Sequence, residues 1–138
     1  MKRILLGTLA YIAVTFATQG VSHFAINRAH YAAISFMRAE PIFALGISSM
    51  VIQGAILTYL YPLYARGSTQ LGRGLGYGLL VGAFFVSYPA LAEAAKFPVP
   101  AVLPWIAVEG VTGLVQFGLF GLLLALLHRK AAPVAVAT

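Results

Sequence analysis

The chain has 138 residues, 61% of them hydrophobic and 9% charged, with no cysteine and a formal net charge of +6. That composition excludes an ordinary soluble domain, in which about 25% of residues are charged, and the missing thiols exclude disulfides, thiolate nucleophiles and thiolate metal sites. The basic balance does not point to nucleic acid, because the basic residues are spread over segment ends instead of forming one patch.

Four apolar stretches are long enough to cross a bilayer, which takes about 20 helical residues. They run continuously apolar, without the in/out alternation of a barrel strand, and backbone groups in lipid must bond internally. The expected fold is therefore all-α. It is a polytopic four-helix membrane bundle, one membrane domain over residues 1–138, with helices near 4–26, 41–64, 75–95 and 104–127. The tail 131–138 is expected to be unstructured, and the length leaves no room for a separate soluble domain.

The first stretch, Ile4 to Ile26, follows Lys2 and Arg3. It continues past the ~7–15 residues of a signal-peptide core and offers only Ala17 as a weak cleavage site, so it reads as a retained span. Near its end Gln19, Ser22 and His23 form a polar stripe at helical spacing. The connection Asn27 to Glu40 is the longest. Its centre, His30 to Met37, mixes aromatic and apolar residues and either lies along the interface as a short helix or folds back over the bundle.

The second stretch opens at Pro41, which suits a first helical turn, and Glu40 before it can face the positive end of that helix. Gln53 falls near mid-membrane, within reach of Gln116 on the fourth stretch. Tyr61 and Tyr64 stand where aromatic anchors belong. The third stretch carries Gly74, Gly78 and Gly82 at the four-residue spacing that lets helix backbones approach closely in lipid. The same GxxxG-type pattern leaves room for a homodimer. Pro89, inside this span, is expected to bend it or free the carbonyl of Phe85. Glu93, near its end, either pairs with Lys96 one turn away or faces the bundle.

The fourth stretch begins near Pro104 and Trp105, a second aromatic anchor. Glu109 lies roughly 8 Å below that end at ~1.5 Å per residue, with Thr112 and Gln116 on about the same face. An acidic residue within a span is a functional candidate, because burying charge in lipid is costly. His128, beside Arg129 and Lys130, reads as a solvated anchor.

Lys2, Arg3, Arg66, Arg73, Arg129 and Lys130 fall on one side of the bundle. Arg28, Arg38 and Lys96 fall on the other, with all three acids, Glu40, Glu93 and Glu109. The excess of positive charge marks the cytoplasmic side, so both termini are expected there, in a multi-pass protein of the cell inner membrane.

The ligand- or proton-binding candidates are Glu109, Glu93, His23, Gln19, Gln53 and Gln116, converging in the outer leaflet. A membrane-embedded glutamate can exchange a proton with a small, cationic or amphipathic molecule, which suits proton-linked binding or transport. Each candidate also has a packing role open to it: Glu109 bonded to Gln19 or His23, the glutamines as interhelical glue. No catalytic residues, metal ligands or cofactors are assigned. His23, Glu93, Glu109 and His30 show no tight metal-ligand spacing. His23 and His128 sit at opposite surfaces, which argues against paired haem ligation, and no serine-hydrolase motif is present. The alternative function is a structural or accessory subunit of a larger membrane complex. An enzyme acting on lipid or quinone is the third reading. The expected partners are the lipid bilayer, a second copy or a larger complex, and a small-molecule ligand.

The segments Arg38-Ala-Glu-Pro41, Gln53-Gly54, Leu60-Tyr61-Pro62, Ala92-Glu93-Ala-Ala-Lys96 and Glu109 to Gln116-Phe117 resemble a family of small, uncharacterised four-helix bacterial inner-membrane proteins, over most of the chain. The resemblance implies the four-helix fold and transfers no activity. In length and helix number the chain also resembles the small multidrug transporters. Their essential glutamate lies in the first helix, where this chain has none, so that role is not carried over.

Overall fold

A computed structural model describes residues 1–38 and 40–129. The expectation for the tail 131–138 and the contribution of Lys130 lie outside the described residues. Among these residues every regular element is helical. The first is α1 (Lys2–Val21), which continues into a wide π turn, Ser22–Ile26. A short α2 (Arg28–Ala32) follows, then α3 (Phe43–Ala65) and α4 (Leu71–Ser87). The latter passes through a second π turn, Tyr88–Glu93, into α5 (Ala94–Lys96), and α6 (Val102–Leu127) completes the described fold.

Four of these units are long and apolar enough to cross a membrane: Lys2–Ile26, Phe43–Ala65, Leu71–Lys96 and Val102–Leu127. Leucine, isoleucine and phenylalanine side chains remain exposed along all of them. Helices apolar all round are those of a membrane span, where lipid is the solvent. By this architecture the chain is an all-helical protein with four candidate membrane spans among the described residues.

Small residues set the helix spacing. On α4, a side chain at Gly74 would collide with the carbonyl of Gly121, and one at Gly78 with the carbonyl of Phe117, so α4 and α6 meet backbone to backbone. Gly113 faces Val86 in the same seam. The α1–α3 crossing uses Gly7 against Thr58 and Gly54 against Thr8 and Tyr11. By contrast α3 touches α4 only lightly, and its first residues, Phe43 to Ser49, are all exposed. The core lies toward the end that carries the N-terminus: Tyr11, Leu57, Tyr61, Tyr77, Phe117, Phe120 and Leu124.

At that end the α3–α4 turn is made by Arg66 and Gly67, both at positive φ, with the Arg66 N–H donating to the Pro62 carbonyl (3.1 Å). At the opposite, far end a second small core forms from Tyr31, Ile34 and Trp105, backed by Ala94, Val99 and Val108. The long connection therefore folds back over the bundle.

Several local expectations are corrected. The second span begins at Phe43, so Pro41 stands before the helix, and Glu40 makes no capping bond and lies outside its first turn. Tyr61 is fully buried in the core and Trp105 is 4% exposed, so neither is an interfacial anchor. Trp105 instead donates its indole N–H to the Pro89 carbonyl (2.8 Å). The chain answers Pro89 with the second π turn. Lys96 holds its ammonium over the Tyr88 ring, 5.5 Å from the centroid.

Candidate functional site

The polar side chains of the far half divide into two groups, one inside the bundle and one at its mouth. Inside, α1 presents Tyr11, Thr15 and Gln19 at helical spacing, α3 presents Ser49 and Gln53, and α6 presents Glu109 and Gln116. Gln19 donates to the Gln116 side-chain oxygen (2.9 Å), and Gln116 donates to the Thr15 hydroxyl (3.0 Å). Tyr11 donates to the Gln53 oxygen, and Gln53 donates to Ser49 (3.0 Å). The expected Gln53–Gln116 contact is thus replaced by two separate pairs. Gln53 bonds to Tyr11 of α1 and Ser49 of its own helix, and Gln116 bonds to Gln19 and Thr15 of α1.

These side chains, with Met50, Phe85, Val86 and Pro89, wall a recess of about 370 Å³. All four spans contribute. It lies between the far halves of α3 and α4, which touch only lightly. Its size is at the small end of ligand cavities.

At the mouth, the two π turns matter. An extra residue in a helical turn rotates the residues after it by roughly 100°. The first π turn carries His23 onto Tyr31, the rings stacked 3.5 Å apart between centroids. His23 Nδ1 lies 2.9 Å from the Gln19 carbonyl, which can only accept, so Nδ1 carries the proton. Tyr31, on α2, donates its hydroxyl to Glu109 (3.2 Å) and lies 3.4 Å from the Ser22 hydroxyl. Ser22 is buried and also meets Thr112 (3.2 Å) and the Asn27 amide (2.9 Å). Burial pushes the Tyr31 hydroxyl up to about 12, with Ser22 opposing and Glu109 reinforcing the shift. At neutral pH Tyr31 therefore keeps its proton and donates a hydrogen bond to the Glu109 carboxyl group.

The partner of Glu109 is thus neither Gln19 nor His23 but Tyr31. His23 stands behind that tyrosine. His23, Tyr31, Phe36, Glu93, Trp105 and Glu109 line a vestibule of about 230 Å³ at the far end. Glu109 is half-buried and is common to the walls of this vestibule and of the inner recess. Of the predicted residues, Gln19, Gln53, Gln116 and Glu109 border the recess, and His23, Glu93 and Glu109 border the vestibule.

Tyr31, Thr15, Tyr11 and Ser49 were missed. Thr15 and Tyr11 lie four residues apart on the helical face that also carries Gln19, a pattern visible in the sequence. Tyr31 had only the mixed polarity of its connection to mark it. Among the described residues no three histidine or carboxylate side chains gather as metal ligands.

No family model matches the chain, and no curated protein or solved structure is similar enough to lend it a function.

Proposed function

We propose that this protein binds a small cationic or polar molecule in the recess between its four spans and exchanges a proton with it at Glu109. The observation that carries the reading is the position of Glu109 on the wall shared by the vestibule and the recess. A ligand moving between them passes one ionisable side chain. The recess holds one acid, three amides and three hydroxyls but no basic residue, so its chemistry suits a cation or a neutral polar group better than an anion. The rings of Tyr11, Phe85 and Phe117 add faces that attract an ammonium group.

In this reading a bound cation takes the place of the carboxyl proton, which leaves through the vestibule. Tyr31 holds the carboxylate in position and His23 holds Tyr31. The excess of arginine and lysine at the N-terminal end orients the vestibule outward from a bacterial inner membrane, with both termini cytoplasmic. Binding followed by release on the other side would make the protein a proton-coupled transporter. A recess walled by every span favours this over an accessory subunit, for which a filled bundle would suffice.

The test is proton release. Small organic ammonium ions are added to the purified protein in weakly buffered detergent solution, and the pH change and heat of binding are recorded. The native protein should release up to one proton per bound cation, and Glu109→Gln should release none. Equal proton release from Glu109→Gln and the native protein would remove the proposal.

A further inference from the structure

The far end holds every acidic residue of the chain, and the N-terminal end holds none. That second end has a pocket of its own. About 170 Å³ of space is lined by Arg3, Tyr61, Pro62, Ala65, Gly67, Ser68, Thr69 and His128. Arg3 comes from the start of α1, Tyr61 from the last turns of α3, Ser68 and Thr69 from the α3–α4 turn, and His128 from the end of α6. Three spans and a turn converge on it.

Two features are unlike a merely solvated helix end. Tyr61 is 0% exposed, yet its hydroxyl has no hydrogen-bond partner among the described residues. A buried hydroxyl left unpaired keeps its desolvation cost without a compensating bond, so a partner at this position would be stabilising. The second feature is His128, whose ring lies 5.1 Å from the Tyr61 ring between centroids. Its Nδ1 donates to the Leu124 carbonyl (2.9 Å), which leaves Nε2 for another partner. The expected solvated anchor is thus packed on a core tyrosine.

Among the described residues the charge at this end is positive. Lys2, Arg66, Arg73 and Arg129 stand at the same end as Arg3, and Arg73 lies over the Tyr64 ring, 5.0 Å from its centroid. The C-termini of α3 and α6 oppose an anion here, but each is partly satisfied: the Pro62 and Ala65 carbonyls accept from Arg66 and Ser68, and the Leu124 and Leu126 carbonyls accept from His128 and Arg129. Full side-chain charges outweigh the residual half-charges of the helix ends. Basic pockets between spans on the positive side of a membrane protein hold phosphate head groups.

We infer that this pocket binds a phosphate group, with Arg3 supplying charge, the Tyr61 hydroxyl and the Ser68 and Thr69 side chains supplying hydrogen bonds, and the His128 ring forming a wall. The phosphate belongs either to an anionic lipid or to a soluble phosphate. The site is independent of Glu109.

The test uses the full chain in nanodiscs of phosphatidylcholine, titrated with inorganic phosphate and followed by the NMR signals of His128. In parallel, native mass spectrometry counts phosphatidylglycerol retained from mixed-lipid discs. Binding in the first arm assigns a soluble phosphate, retention in the second a head group, and both together a site that reads the phosphate alone. Tyr61→Phe keeps the ring and removes the unpaired hydroxyl, so it should fold at least as well as the native protein. It should bind about 5- to 10-fold more weakly. Arg3→Gln should weaken binding further still. Absence of binding in both arms, or binding that both variants leave unchanged, would overturn the assignment.

Discussion

Helix α4 has two neighbours and treats them differently. Against α6 it presents glycines and closes to backbone contact. Against α3 it makes little contact, and the recess opens between those two helices. The seam is possible because Gly74, Gly78 and Gly121 remove side chains from the crossing, and in lipid such packing is a main source of helix association. The gap is possible because the seam and the α1–α3 and α1–α6 crossings already hold the bundle. A membrane protein of this size gains room for a polar site by concentrating its packing in three crossings and leaving the fourth, α3–α4, loose.

The contrast is broken most severely at the seam. A valine at Gly78 would place its Cβ against the Phe117 carbonyl, a backbone group that moves only if the helices separate. We expect Gly78→Val to cost at least ~2–3 kcal/mol, near the upper range for overpacking, read as a lower unfolding temperature in detergent. Gly46, on the gap side of α3, has nothing within 4 Å of the place a Cβ would take. Gly46→Ala should be neutral or stabilise by up to about 1 kcal/mol through helix propensity. Equal destabilisation by both substitutions would show that the two sides of α4 do not differ as described.

The membrane-spanning class of the chain was legible in the sequence, and so were the spans, because lipid demands long apolar helices and little else imitates them. The observed spans lie within a few residues of those expected. The site was legible only along single helices. Gln19, Glu109 and Gln116 stand out as polar groups in apolar runs, but their pairing depends on how α1 and α6 rotate against each other. Periodicity does not carry that angle. The π turns were less visible still. Pro89 marked the second as an irregularity, while nothing in Ser22–Ile26 marks the first. Tyr31 and Trp105 carry the far-end cap through tertiary contacts that a hydropathy pattern does not encode, and an aromatic residue near a span end reads equally well as an anchor.

That cap offers the next test, of intermediate size. Trp105 joins α6 to the second π turn through one indole bond to the Pro89 carbonyl. Trp105→Phe keeps most of the apolar contact with Tyr31 and Ile34 but leaves that carbonyl one donor short. We expect a loss of about 1–2 kcal/mol. Amide exchange should rise around residues 88–96 and stay unchanged along the α4–α6 seam. Faster exchange spread over both regions would mean that cap and seam form one cooperative unit, and the comparison would lose its force.

The last effect comes from Tyr31, and it is confined to high pH. Its hydroxyl titrates near 10.0 when free and about 12 in the fold, chiefly through burial. Between those values the unfolded chain has lost this proton and the folded chain keeps it. The folded state then binds more protons, so stability falls as pH rises. The contribution is fully present below pH 10 and is gone above about 12. Tyr31→Phe removes this titration while keeping the ring stacked on His23. The native protein should therefore lose stability more steeply than Tyr31→Phe over that window, and the two should run parallel below it. Other buried tyrosines titrate in both proteins and cancel in the difference. Parallel curves throughout would mean that α2 has already lifted from the bundle at high pH, which would make the cap, and with it the hold on Glu109, the loosest part of the far end.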